Sequence, residues 1–123
     1  MPKVIHFEIP AEDTKRAVAF YEKAFGWKIN NYGWGALEYW LVTAGEDKEP
    51  GINGAIVKKD KLHPATVNTV SVSSFEEAVE KIKSAGGEVL RSKITAPGVG
   101  YVTYCRDTEG NVFGIMQTDH KAK

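Results

Sequence analysis

The stretch KVIHFEI (3–9) alternates strictly. Val4, His6 and Glu8 fall on one surface of a strand, and Ile5, Phe7 and Ile9 fall on the other. The period changes at PAEDTKRAVAFYEKAFG (10–26), where Ala17, Phe20, Tyr21, Ala24 and Phe25 make one helical stripe and Gly26 supplies a C-cap. WKIN (27–30), ALEYWLVTA (36–44) and INGAIVK (52–58) are predicted strands, set apart by the turn-rich NYGWG and the charged GEDKEPG. KDKLHPA (59–65) reads as a linker. The pattern then restarts. TVNTVSV (66–72) is a predicted strand and SSFEEAVEKIKSAGG (73–87) a helix, opened by a capping box of Ser73 or Ser74 with Glu76 or Glu77. EVLRSKIT (88–95), YVTYCR (101–106) and VFGIMQT (112–118) are predicted strands, with turns at APGVG (96–100) and DTEGN (107–111).

One offset relates the two halves. RAVAFYEKAFGWKI (16–29) laid over EAVEKIKSAGGEVL (77–90) pairs Ala17 with Ala78, Val18 with Val79, Ala24 with Ala85 and Gly26 with Gly87, each 61 positions apart. Both halves read strand–helix–strand–strand–strand. A single α+β domain over 1–123 follows, built of one βαβββ module at about 1–60 and another at about 61–123. Each helix buries its stripe on its own sheet, and the other sheet faces are expected to form a shared concavity.

Composition narrows the class. Sixteen basic and sixteen acidic residues cancel and no basic stripe exists, so nucleic acid and anionic membrane are excluded as expected partners. The start MPKVIHFEIP has no apolar signal core, and one cysteine, Cys105, forms neither an internal disulfide framework nor a thiolate cluster. A reduced, cytoplasmic setting is expected.

HFEIPAEDTKRAVAFYEKAFGW (6–27), FEEAVEKIKSAGGEVL (75–90) and PGVGYVTYCRDTEGNVFGIMQ (97–117), with its D-x-E-G-N hairpin followed by V-F-G, resemble the vicinal oxygen chelate superfamily. That group takes in glyoxalase I, bleomycin-resistance proteins and extradiol dioxygenases, and the likeness is nearest to its small glyoxalase-like proteins. The resemblance implies two tandem βαβββ modules forming a curved mixed sheet around a shared cup, and a homodimer. Members with metal chemistry hold the ion by four His, Glu or Gln side chains, two from the first strands and two from the last. His6 matches, but the other positions fall on Val67, Gly54 and Gly114, which have no donor side chain. His6 is the only matching ligand position, so no metal and no other cofactor is expected.

What remains is a cup for a small-molecule ligand or substrate. His6, Glu8, Trp40, Gly54, Val67, Thr69, Tyr101, Gly114 and Met116 are its candidate lining, apolar and aromatic with a few polar groups. The inward faces of 37–43 and 101–106 stay open: Trp40 or Tyr39 on the first, and either Tyr101, Thr103 and Cys105 or Val102, Tyr104 and Arg106 on the second. Trp34 is a candidate rim residue. His6 and Glu8 are candidate catalytic residues for proton transfer, although a structural pair explains them as well. His63 reads as a solvated loop residue and Cys105 as a packed thiol. YGWG and PGVG lack the strand-then-helix setting of phosphate loops. The expected function is binding of a small organic molecule without a complete metal site. The alternatives are a lyase, isomerase or dioxygenase-type enzyme of the same superfamily, and a non-catalytic dimeric interaction protein.

Overall fold

Asp13 decides where the first strand gives way to the first helix. The computed structural model describes residues 2–33 and 38–123, so Trp34 lies outside the described residues. Strand β1 (Val4–Ala11) runs two residues beyond its expected end, because it pairs in parallel with β4 (Asn53–Lys58) as far as Ala11 opposite Lys58. Helix α1 (Thr14–Phe25) starts when Asp13 turns extended and its Oδ1 accepts the Arg16 N–H at 3.0 Å. It stops at Gly26, whose φ of 70° is the left-handed conformation a C-cap requires, and whose N–H donates to the Glu22 carbonyl.

Two compact units are present: His6–Val67, and residues 2–5 together with Asn68–Lys123. In the first, β2 (Lys28–Asn31) and β3 (Tyr39–Thr43) complete the order β2–β3–β4–β1, antiparallel except for the parallel β4–β1 pair. Val18 of α1 packs on Ile29, Val42 and Ile56, joined by Phe7, Ile9, Ala17, Tyr21, Trp27 and Trp40. Tyr21 stacks on Trp27 with ring centroids 5.0 Å apart. Burying Ile56 and Val42 stabilises by about 1.5–3 kcal/mol each.

The second unit repeats the plan. β5 (Val67–Ser71) leads to α2 (Phe75–Ser84), followed by β6 (Glu88–Val89), β7 (Ile94–Ala96), β8 (Gly100–Arg106) and β9 (Val112–Thr118). The order is β5–β9–β8–β6, with β7 also paired to β8. β5–β9 is parallel, the counterpart of β1–β4. Residues 2–5 belong here through the Ser71 N–H, which donates to the Lys3 carbonyl at 2.7 Å. Ser74 is the N-cap of α2, its Oγ accepting the Glu77 N–H. The strand expected over 88–95 is broken in two. Its middle pairs with β8 by other means: the Leu90 N–H donates to the Tyr104 carbonyl, and the Thr103 hydroxyl to the Arg91 carbonyl. The fold class is the expected α+β, with mixed sheets made from a repeated βαβββ plan.

Candidate functional site

Register decides which residues share a face. In the first module, His6 lies opposite Asn53, Phe7 opposite Gly54, Glu8 opposite Ala55, and Leu41 opposite Ala55. Phe7, Gly54, Val42, Ile56 and Trp40 therefore share the face packed on α1. His6, Glu8, Tyr39, Leu41, Asn53, Ala55 and Val57 share the far face.

Two expected lining residues of this module change sides. Trp40 belongs to the core around Val18 and Ile56, because the even-numbered positions of β3 align with Gly54 and Ile56. Gly54 also faces the core. A Cβ there would collide with the Phe7 carbonyl oxygen and come within 2.5 Å of its ring, so the glycine serves close packing. Matching the two last strands by their glycines is thus wrong by one residue. The 61-residue offset carries Gly114 to Asn53, on the far face, and Gly54 to Ile115 in the second core.

The second module settles the alternative left open for its strand. Tyr101 lies opposite Gln117, Thr103 opposite Ile115 and Cys105 opposite Phe113. This is the α2 side, where the Phe75 N–H donates to Gln117 Oε1 and Lys93 Nζ sits 4.7 Å from the Tyr101 ring centre. Tyr101 is therefore not on the expected face. Val102, Tyr104 and Arg106 share the other face with Thr69, Gly114 and Met116. Val67 and Thr69 point to one side of β5, and both are buried. A Cβ on Gly114 would meet Thr69 Oγ1 at 3.0 Å. Cys105 is the packed thiol expected, and burial pushes its pKa up to about 11.

His6 and Glu8 take different partners. His6 Nε2 and Tyr39 Oη share a hydrogen bond of 2.8 Å. Burial lowers the imidazole pKa, against the opposing pull of the Glu8 charge, and leaves the ring neutral near pH 7. Glu8, only 3% exposed, accepts from His63 Nε2 at 2.6 Å. The expectation of a solvated His63 is overturned. It is 7% exposed, and its Nδ1 lies 2.9 Å from Asp60 Oδ1. Both ring nitrogens thus face carboxylate oxygens, and only an imidazolium offers each a donor. Burial alone would lower the His63 pKa, but the hydrogen bonds and charges of Glu8 and Asp60 outweigh it and raise the value. Removing one partner of such a buried pair costs about 3–5 kcal/mol. Sequence reasoning missed this contact because 55 residues separate its ends. The available signal was Glu8 itself, a carboxylate on a buried strand that needs a cation.

The residues at the expected ligand positions do not suit a metal ion. Of the ligand positions, Val67 and Gly114 have no donor, and the Asn53 amide oxygen already accepts the Ala44 N–H at 2.9 Å. Among the described residues, no three His, Cys, Asp or Glu side chains converge on one point. Also on this module, the Thr14 hydroxyl donates to Glu38 Oε1 at 2.5 Å.

Residues 3–115 match the Glyoxalase/Bleomycin resistance protein/Dioxygenase superfamily. The chain belongs to that superfamily. It is 30% identical over 113 residues to a glyoxylase-like domain-containing protein of Didymella fabae, covering 88% of each chain. Among solved structures, a hypothetical protein from Bacillus halodurans C-125 superposes with a TM-score of 0.73 at 13% identity, over 99% of this chain and 98% of that one. A Streptomyces coelicolor methylmalonyl-CoA epimerase in complex with 2-nitronate-propionyl-CoA superposes with a TM-score of 0.71 at 12% identity, over 98% and 97%. At those identities the structural likeness speaks for the glyoxalase-superfamily fold alone.

Proposed function

We propose that this superfamily member binds a small organic molecule on the far face of its first module, with His6 and Tyr39 as the polar anchor and no metal ion. The observation that carries the reading is the 2.8 Å bond between His6 Nε2 and Tyr39 Oη. It is a neutral pair able to donate and accept, beside apolar Leu41, Ala55 and Val57. The Streptomyces relative, found with a propionyl-CoA analogue, supports a thioester as the first probe.

Thermal unfolding with 2-nitronate-propionyl-CoA and with a panel of small carboxylic acids and aromatics, each with and without EDTA, tests the reading. A stabilisation that survives EDTA and disappears in His6→Phe and Tyr39→Phe is expected. Stabilisation that EDTA abolishes and Ni²⁺ or Zn²⁺ restores overturns it.

A second reading has its own observation. A neutral imidazole bonded to a phenol can take a proton from an acidic carbon and return it, as the pKa of His6 favours the base form. Deuterium uptake from D₂O into methylmalonyl-CoA above the uncatalysed rate, lost in both His6→Phe and Tyr39→Phe, would identify this enzymatic role.

A further inference from the structure

His63 lies in the segment that joins β4 to β5, and it is fixed there from several directions. The Asp60 carbonyl accepts the His63 N–H at 3.2 Å, and Asp60 Oδ1 accepts the Leu62 N–H at 2.9 Å. Asp60 and His63 also form an isolated antiparallel bridge, and Pro64 holds His63 out of the helical region. The turn is therefore closed locally by backbone and by Asp60. The ring of His63 ties the turn to β1, reaching Glu8 at 2.6 Å, and the adjoining Lys59 N–H donates to the Ala11 carbonyl at 3.0 Å.

We propose that His63 is a proton-operated bolt: with both ring nitrogens protonated it clamps the Asp60–His63 turn between Asp60 and Glu8 of β1, and loss of one ring proton removes one of the two bonds and the charge that strengthens the other, loosening the turn. With Glu8 and Asp60 ionised, the geometry carries this dependence. A neutral imidazole has one donor, so one of its nitrogens would present a lone pair to a carboxylate oxygen less than 3 Å away. The ring and Glu8 are buried, where water does little to screen the charge, while the Asp60 carboxylate on the other side is 56% exposed. Among the described residues, the titratable groups around the ring are Glu8 and, behind it, His6 on β1, with Asp60 on the turn itself. Lys58, Lys59 and Lys61 are exposed, and Lys58 Nζ donates to the Glu12 carbonyl. The raised His63 pKa agrees in direction. The inference rests on the Glu8–His63–Asp60 contacts alone and stands or falls separately from the ligand reading.

The test combines a nuclear magnetic resonance titration of the histidine rings with amide hydrogen exchange of Leu62 and His63, corrected for the intrinsic pH dependence of exchange. The His63 midpoint is expected above the ordinary value of about 6.5. Opening of the turn should grow about tenfold per pH unit between that value and the midpoint, then level off. Asp60→Asn keeps the oxygen that accepts from Leu62 but removes one charge, and Asp60 is exposed, so this variant folds. It should bring the midpoint down by about 1 pH unit or more, and the exchange transition should move with it. Protection of Leu62 and His63 that stays flat across the His63 titration overturns the proposal. So does a transition left in place by Asp60→Asn and by His63→Gln.

Discussion

Gly54 and Gly114 look alike in the sequence, each in the middle of a last strand, yet the space around them differs. Gly54→Ala forces a methyl against the Phe7 backbone and ring, neither of which can swing aside in a paired strand. The variant should lose about 2–3 kcal/mol, read as the shift of the urea midpoint at constant slope. Gly114→Ala meets the side-chain oxygen of Thr69 at 3.0 Å, with its backbone contact to the Thr103 carbonyl at an ordinary 3.6 Å, and should lose about 1 kcal/mol or less in the same titration. Equal losses would mean that Gly54 does not owe its place to Phe7. The sequence declared both glycines unusual, since glycine weakens a strand, but could not say which face each served. That depended on a one-residue choice of register, and one residue exchanges the core for the far face. Trp40 and Tyr101 were misplaced for the same reason: a strand rich on both faces gives alternation nothing to choose by. Glu8 was legible as a question and His63 was not legible as its answer, because their 55-residue separation obeys no local rule.

Helices and hairpins were the most legible elements, since their signals are short-range. Ser74 caps α2 as the Ser-x-x-Glu spacing requires, and Asp13 caps α1. The Asp107–Asn111 turn is closed by the Asp107 carboxylate, which accepts from Asn111 and Glu109 and is held below its usual pKa by the bonds to Asn111 and Glu109. Ser74→Ala should lower stability by about 1 kcal/mol, while Ser73→Ala, one residue outside the cap, should cost only a few tenths. Comparing the thermal midpoints of the two variants decides the point, and a larger loss at Ser73 would contradict the capping geometry. Less legible was the stretch after α2. EVLRSKIT has strand composition throughout, but Thr103 and Leu90 take over its pairing midway and leave Arg91–Lys93 outside any ladder.

At the scale of the whole chain, two histidines of the first module pull stability in opposite directions with pH. His63 has a raised folded pKa, so its contribution is complete below about 6.5 and is lost as pH rises through the folded value. His6 has a lowered folded pKa, so its contribution is complete above about 6.5 and is lost as pH falls through the folded value. Between pH 5.5 and 8 the urea midpoint should therefore pass through a maximum at about 6.5. His63→Gln should flatten the alkaline limb and His6→Gln the acidic one; a wild-type curve that rises steadily to pH 8 would contradict the paired assignment. The 61-residue repeat made this architecture readable at a distance, since each module carries its own helix signals and its own core. The charge pairing that sets the pH behaviour belongs to one module only and has no echo in the other: the offset carries Glu8 to Thr69. Cys105, finally, turns the second module into its own stopwatch. The chain has a single thiol, with no exposed surface and a pKa of about 11, so a maleimide added at neutral pH finds nothing to attack while β8 and α2 stay together. Labelling then counts openings one by one, and at high reagent its rate becomes the unfolding rate of the native protein, measured without denaturant or an added reporter.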